Sequence, residues 1–398
     1  MRVLTPSTPA SAARPARRTF GILSTFPPTA CGLATFGAAL GAGLSARGSQ
    51  VHLVRIADGS TVADRPVIGE LVNGSPASVA AAAGLLNRCE VAVVQHEYGL
   101  YGGADGDEVV AVLADLQVPS IVIAHTILRR PTAHQRSVLV DVAALADQVI
   151  VMSDAARDRL CNGFDVDPAK VSTIPHGAVV PAGRPRTDPS GRPTLLTWGL
   201  VGPGKGIERV IDAMVSLQGL SMRPRYLVAG QTHPKVLAAD GEAYRNARIE
   251  QAWRNGVAAS VSFDSDYRDV ASLTRLAQSA AAVVLPYDST DQVTSGVLVD
   301  AIAAGRPVVA TAFPHAVELL DSGAGIVVNH DDPDALALAL HRVLTEPGLA
   351  AAMAAEASRL APTMSWAVVA GAYLDLAERL LNGRLLAGRR LSERPALV

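Results

Sequence analysis

Residues 294–311 read TSGVLVDAIAAGRPVVAT: a Thr-Ser-Gly opening, a run of small and apolar residues carrying one acid, a Gly-Arg-Pro break and a β-branched close. The run from Val297 to Ala304 has the composition of a helix, and Pro307 to Ala310 that of a strand. A helix passing through a short break into a strand is part of a β-α-β unit, so the segment points to a parallel sheet with helices on its faces. Ser295 and Gly296 stand where that helix starts, and exposed backbone N–H groups at such a place suit an anion, most often a phosphate. Small residues there also let a helix pack closely on a sheet. The segment by itself leaves both readings open.

The same rhythm runs through the whole chain. TFGILSTF, VHLVRI, VAVVQH, SIVIAH, QVIVMS and VSTIPH read as strands of the first half, with helical patterns between them. TLLTWG, RYLVAG, SVSFDS, AVVLPY, PVVAT and GIVV repeat the pattern in the second half. Strands alternating with helices make doubly wound parallel sheets, and the Pro/Gly-rich PAGRPRTDPSGRP at 181–193 is the natural linker between two of them. The expected organisation is a tail over 1–18, domains over 19–180 and 194–362, and a C-terminal helix and tail over 363–398. The helix is expected from Ser365 to Leu381, where apolar residues recur at helical spacing. The Arg-rich remainder reads as a mobile tail.

Composition narrows the partners. The 398 residues are 49% hydrophobic and 18% charged, enough for two well-buried cores. A formal net charge of −2 argues against a general nucleic-acid binder, which needs a concentrated basic surface. Cys31, Cys89 and Cys161 are too scattered for a disulfide framework or a zinc knuckle. No apolar run is long enough to span a bilayer, and the N-terminal residues lack the apolar centre of a signal peptide, so a cytoplasmic protein is expected.

In doubly wound sheets ligands bind beyond the carboxyl ends of the strands. One such end, TWGLVGPGKGIERVIDAM, carries Gly199, Gly202, Gly204, Lys205 and Gly206 between a strand and a helix. The spacing is nearly that of a Walker A loop, but Gly206 replaces the hydroxyl residue that would hold Mg²⁺, which argues against an ATPase. A glycine loop with one lysine still holds a diphosphate without metal. His96 and His125 end strands in VVQHEYGLYGG and VIAHTIL. Two histidines at neighbouring strand ends, with Glu97 beside them, point to a site, although Glu97 also suits a plain ion pair with Arg129 or Arg130. In AGQTHP, Gly230 and Gln231 suit a pocket wall, whereas His233 and the His176 of IPHG read as loop structure.

Together these features resemble the family 4 retaining glycosyltransferases of the GT-B fold. The Gly199–Gly206 loop is similar to the family's Gly-loop-Lys-Gly pattern, and AIAAGRPVVAT to its Ala-rich run ending in Gly-x-Pro-Val. The family's pair of signature glutamates falls on Gln292 and Asp300, so a literal acid pair is absent. Leu200 stands where many relatives have a basic residue, which leaves Lys205 as the chief cation of the loop.

The resemblance implies two Rossmann-like domains facing a central cleft, with the C-terminal helix packing back on the first. The first domain would bind the acceptor through His96, Glu97 and Tyr98, and the second the nucleotide sugar. His125 matches the family's histidine beside the transferred sugar, and with Gln292 it would position the hexose while Lys205 neutralises the leaving diphosphate. Gly32 would lie against the diphosphate or the acceptor, unless it serves only a tight turn. Gly199, Gly204, Gly230 and Gln231 would line the donor, Thr294, Ser295, Gly296 and Val297 would meet its phosphates, and Asp300 would accept from the ribose. Asp264-Ser265-Asp266 has the DxD form that binds Mn²⁺ or Mg²⁺ in another glycosyltransferase fold. Its position matches where the family passes the nucleotide base, so Asp266 is expected in the donor site and no metal or other cofactor is expected.

The implied activity is metal-independent transfer of a hexose to a carbohydrate or other small acceptor. Mannose from GDP-mannose is preferred, on the motifs STFPPTACGLATF and QHEYGLYGG, and UDP-glucose is the alternative. Loss of both glutamates also fits a noncatalytic nucleotide-sugar-binding protein. Another GT-B activity such as an epimerase or a phosphorylase is a third possibility, the phosphorylase disfavoured by its need for a pyridoxal-phosphate lysine in a longer chain. Oligomeric state is left open.

Overall fold

The computed structural model describes residues 17–60, 66–183, 191–266 and 268–392. Each half of the chain builds one parallel sheet. The first contains β1 (Thr19–Ser24), β2 (Gln50–Ile56), β3 (Val67–Leu71), β4 (Val91–His96), β5 (Ser120–Ala124), β6 (Gln148–Val151) and β7 (Val171–Thr173) in the order β3-β2-β1-β4-β5-β6-β7. Its helices are α1 (Gly32–Ala46), α2 (Pro76–Leu86), α3 (Glu108–Ala114), α4 (Ala133–Leu145) and α5 (Asp154–Gly163). Every residue of β4, β5 and β6 is buried. Their nearly unbroken apolar runs are what a sheet covered on both faces requires.

The second sheet has the order β10-β9-β8-β11-β12-β13. Its strands are β8 (Thr194–Trp198), β9 (Arg225–Ala229), β10 (Val261–Asp264), β11 (Ala282–Leu285), β12 (Val308–Thr311) and β13 (Gly325–Val328). Between and after them run α6 (Ile207–Leu217), α7 (Pro234–Asp240), α8 (Ala243–Arg254), α9 (Val270–Ser279), α10 (Gly296–Ala303), α11 (Pro314–Leu320), α12 (Pro333–Thr345) and α13 (Pro347–Leu360). In both sheets the order reverses beside the first strand, at β1/β4 and at β8/β11, and such switch points open the crevice where ligands bind.

Two expectations are corrected. The first sheet has seven strands where six were read: β3 was missed because VIGEL, an edge strand with a central glycine and a glutamate, lacks a continuous apolar signal. The last helix, α14 (Trp366–Ser392), continues to Ser392 within the segment read as a mobile tail, of which residues 393–398 lie outside the described residues. Leu, Ala and Arg are good helix formers that outweigh Gly383, and Arg384 ties the helix to Gln117 O and to Asp147. At the other end, Arg18 pairs with Glu90 at 3.0 Å, while residues 1–16 of the expected tail and 184–190 of the expected linker lie outside the described residues.

The start of α14 packs on α1 over the first sheet, and Val369, Ala370, Tyr373 and Leu376 share one core with Phe36 and Leu40 of α1 and Phe20 and Ile22 of β1. The two halves also meet directly. Ser153 donates to Val293 O at 2.6 Å, Glu318 accepts from the amides of Asp154 and Ala155, and Arg159 donates to Asp291 O at 2.7 Å. Among the described residues no helix is long and apolar enough to cross a membrane.

Candidate active site

Both switch points carry residues singled out above: His96 closes β4, Gly32 opens the helix after β1, and Gly199 follows β8. In the first sheet, α1 begins at Gly32, whose backbone is ordinary and whose missing Cβ would meet nothing within 4 Å. Neither a turn nor internal packing therefore demands glycine there. The preceding loop is braced by Arg55, which is fully buried and bonded to Asp58, Glu70 and Ser60, while Asp58 accepts from Thr29 at 2.6 Å.

His96 closes β4 with 1% exposure, its ring edge-on to Tyr98 and both ring nitrogens unpaired. Burial pushes its pKa down to about 4, so the ring is neutral. Glu97 accepts from the Thr126 hydroxyl at 2.6 Å and from the Tyr98 amide at 3.0 Å. Those partners replace the ion pair with Arg129 or Arg130. Burial raises the pKa of Glu97, and Lys235 of the second half counteracts that rise. Tyr98 donates to Gln135 O at 3.2 Å, and burial pushes its phenol up to about 12.

His125 follows β5 and is half-buried. Burial, with His176 and His96 adding to it, pushes its pKa down to about 3. Its Nε2 lies 2.7 Å from Oε1 of Gln95, and its ring meets Phe36 edge-on at 5.1 Å. Phe36 also meets the rings of His176 and Trp366, so one α1 side chain seats three others.

In the second sheet the glycine loop has two kinds of glycine. Gly199 and Gly230 both have positive φ, and a Cβ on Gly230 would stand 2.0 Å from Gly199 O, so the end of β8 accounts for the glycine after β9; a Cβ on Gly199 would meet only Val297 Cγ2 at 3.8 Å, and its positive φ alone favours glycine there. Gly206, also at positive φ, caps α6 and would collide with Pro286 O, which explains why no hydroxyl residue stands there. Gly204, at φ +87°, turns the loop in open space. Lys205 lies with Nζ 4.5 Å from the centre of the Tyr287 ring, and it has no carboxylate partner among the described residues. Gln231 is exposed, and its carbonyl accepts from Val201 N at 2.8 Å.

At α10 the expectation is corrected in part. Ser295 is buried; its amide donates to His315 Nδ1 at 2.9 Å and its hydroxyl caps the Leu298 amide. Its backbone donor is therefore committed within the protein. Gly296 and Val297 supply the first-turn amides without a protein acceptor among the described residues. The room over Gly296 is occupied by the His176 ring, whose Nε2 would stand 2.9 Å from a Cβ there. The sequence reads His176 as loop structure, and it does lie in the loop after β7; its position just past the last strand of the first sheet is the available signal.

Thr294 has a buried hydroxyl without a partner, and Gln292 donates to Thr294 O at 3.0 Å. Asp300 is open to water on one side. Burial of its carboxyl by the surrounding protein raises its pKa to about 7. Asp264 is held by Arg268 and accepts from the Asp266 amide, which lowers its pKa, whereas Asp266 is exposed. His233 accepts from Lys235 N and caps α7, in keeping with a loop role.

Comparison with known proteins bears on the family and the fold. The family description "Glycosyltransferase Family 4" matches residues 31–179, and "Glycosyl transferases group 1" matches residues 192–346. Curated relatives include the D-inositol 3-phosphate glycosyltransferase of Kineococcus radiotolerans, 28% identical over 61% of this chain and 59% of that protein. The protein of the same name from Mycobacterium marinum is 31% identical over 62% of this chain and 52% of its own length. The chain thus spans little more than half the length of the curated relatives it matches. Among solved structures, a glycosyltransferase from Rickettsia africae superposes with a TM-score of 0.72 at 13% identity, covering 92% of this chain and 99% of the other. Anabaena Alr3699/HepE in complex with UDP and glucose gives 0.71 at 16% identity, covering 91% and 100%. At such identities the likeness is one of fold.

Proposed function

The chain belongs to the family 4 glycosyltransferases of the GT-B fold, and on that premise we propose that its cleft transfers a hexose from a nucleotide sugar to a hydroxyl of a carbohydrate acceptor, with retention and without a metal. The observation that carries the reading is Lys205: a cation seated on Tyr287 at the β8/β11 switch point, with no carboxylate to satisfy it among the described residues. Together with the amides of Gly296 and Val297 it offers a diphosphate both charge and donors.

In the reaction the bond from the anomeric carbon to the diphosphate oxygen breaks, its electron pair leaving with the phosphate. The acceptor oxygen bonds to the same face of the sugar, and its proton passes to a phosphate oxygen. Lys205 stabilises the charge that develops on the leaving group. His125 and Gln292 hold the hexose and Asp300 accepts from the ribose. No side-chain nucleophile is required.

At the acceptor wall, the Glu97 carboxylate fixed by Thr126 accepts hydroxyl groups and repels anions. We therefore favour an uncharged carbohydrate over the phosphorylated polyol that the names of the curated relatives carry. GDP-mannose rests on the N-terminal motifs, and UDP-glucose is supported by the UDP of a solved neighbour. Incubating the full chain with radiolabelled GDP-mannose and UDP-glucose and a panel of neutral sugars tests the reading. Labelled glycoside is expected from one donor; saturable binding without consumption of either would make the protein a nucleotide-sugar binder instead.

A further inference from the structure

Gln95 is the penultimate residue of β4 and has no solvent exposure. Its Nε2 donates to Ser24 Oγ at 2.6 Å and to Leu33 O, in the first turn of α1, at 3.2 Å. A backbone carbonyl only accepts, so the nitrogen of the carboxamide must be on that side. Its Oε1 then faces His125 Nε2 at 2.7 Å, and because a carboxamide oxygen only accepts, the imidazole proton must be on Nε2. Nδ1 is left with its lone pair, and nothing among the described residues donates to it. The room for this carboxamide is itself built in: a Cβ on Gly37 of α1 would stand 2.9 Å from Gln95 Nε2.

We infer that Gln95 is the positioning residue of the transfer site: it locks His125 as the Nε2–H tautomer, so that His125 presents an acceptor, not a donor, to a hydroxyl of the transferred sugar. The inference rests on the proposed placement of the hexose beside His125. It also ties the sugar contact to the start of α1, because the same carboxamide is held by Leu33 O. A ring with the opposite tautomer would meet the sugar with an N–H and select a different hydroxyl orientation.

The test reads the ring and the ligand separately, on the full chain. Long-range ¹H–¹⁵N spectra of labelled protein, with His125 assigned through His125→Asn, are expected to show a protonated Nε2 and a bare Nδ1. Gln95→Leu should yield a mixture of tautomers. Gln95→Glu should charge the ring, placing protons on both nitrogens. Calorimetry then compares GDP-mannose with GDP and UDP-glucose with UDP. Gln95→Glu, whose ring keeps no lone pair, should lose about tenfold in affinity for whichever sugar nucleotide the natural protein prefers, and Gln95→Leu only about twofold, the share of rings in the wrong tautomer, while the bare diphosphate is unaffected by either.

A protonated Nδ1 in the natural protein, or an unchanged ring in Gln95→Leu, overturns the inference. So does an equal loss for sugar nucleotide and bare diphosphate, the mark of a merely structural role. If the natural protein prefers neither sugar nucleotide to its diphosphate, the donor reading fails and the sugar contact with it, even where the ring spectrum still shows the Gln95 lock.

Discussion

His176 Nε2 lies where the first side-chain atom of residue 296 would otherwise be, 2.9 Å from a Cβ built on Gly296. A ring from the end of the first sheet thus rests against the first residue of a helix in the second, and glycine at that position is what admits it. Nδ1 of the same ring lies 2.7 Å from the carbonyl of Gly177, which fixes it as the donor and turns the unprotonated Nε2 toward α10.

Gly296→Ala should therefore destabilise the protein by about 1–3 kcal/mol, the usual cost of overpacking. His176→Ala removes the obstacle, so the double variant should recover much of that loss, a coupling that urea unfolding of the four proteins measures directly. Simple additivity would mean that the two residues do not meet in solution.

Lys205→Ala should weaken binding of GDP and UDP by about ten- to hundredfold, the worth of one charge-assisted contact. Folding should change little, because the lysine has no carboxylate partner among the described residues and gives up only its contact with the Tyr287 ring. Calorimetry with the bare diphosphates checks the first half and thermal unfolding the second. Unchanged affinity would remove Lys205 from the donor site.

Several elements of the candidate site are legible in the sequence. The strand ends were visible because buried parallel strands such as VAVVQH and AVVLPY are continuous apolar runs that stop abruptly at polar residues. The glycine loop was visible because glycine takes most readily the positive φ found at Gly199, Gly204 and Gly206. What stayed hidden depends on distances between elements remote in sequence. Nothing local told Gln95, inside an apolar strand, that its carboxamide would bridge Leu33 and His125, nor Tyr287 that it would lie under Lys205. The small residue at 296 was read as room for phosphate, and the sequence carried no sign that the His176 ring shares that room. Asp264 read as a metal ligand in form, and only its contact with Arg268 shows that its charge is already matched.

Acid should destabilise the fold through His96 and His315, which are 1% and 4% exposed. Burial lowers both to about 4 in the folded protein, against about 6.5 when unfolded. The unfolded chain therefore binds more protons below pH 6.5. The histidines cost nothing above that pH, and stability is lost as the pH falls toward 4. Each contributes a slope of up to about 1.4 kcal/mol per pH unit in that window. Urea unfolding at several pH values reads the slope. His96→Phe, which removes the two buried and unpaired ring nitrogens, should lower it by about one proton's worth; an unchanged slope would mean that His96 protonates freely in the folded state.

Chelation should leave transfer intact. Asp264 is occupied by Arg268 and by the Asp266 amide, so the Asp-Ser-Asp sequence offers only the exposed Asp266 carboxylate. Among the described residues no group of three or more His, Cys, Asp or Glu side chains is arranged to hold an ion. Activity that stops with EDTA and returns with Mn²⁺ would show that the Arg268 contact opens and that the carboxylates take part.

The substituted signature gives a crossed prediction. Gln292 is expected beside the hexose, so Gln292→Ala should reduce turnover of the intact donor while the affinity for bare GDP or UDP remains nearly unchanged. Asp300 is expected at the ribose, which donor and product share, so Asp300→Ala should weaken the bare nucleotide as well, by about ten- to hundredfold for a contact to a charged acceptor. The surrounding protein raises the pKa of Asp300 toward about 7, and a carboxyl accepts two ribose hydroxyls best when ionised. Nucleotide affinity of the natural protein should therefore fall as the pH drops below that value, and the fall should vanish in Asp300→Asn. Gln292 also holds Thr294 O, so loss of that bond is the competing explanation for its effect. It would weaken both ligands equally, because it acts on the loop that both must meet. Turnover with the sugar donor and calorimetry with the bare diphosphate separate the two, and an unchanged result in both variants would move the donor away from QVTSGVLVD altogether.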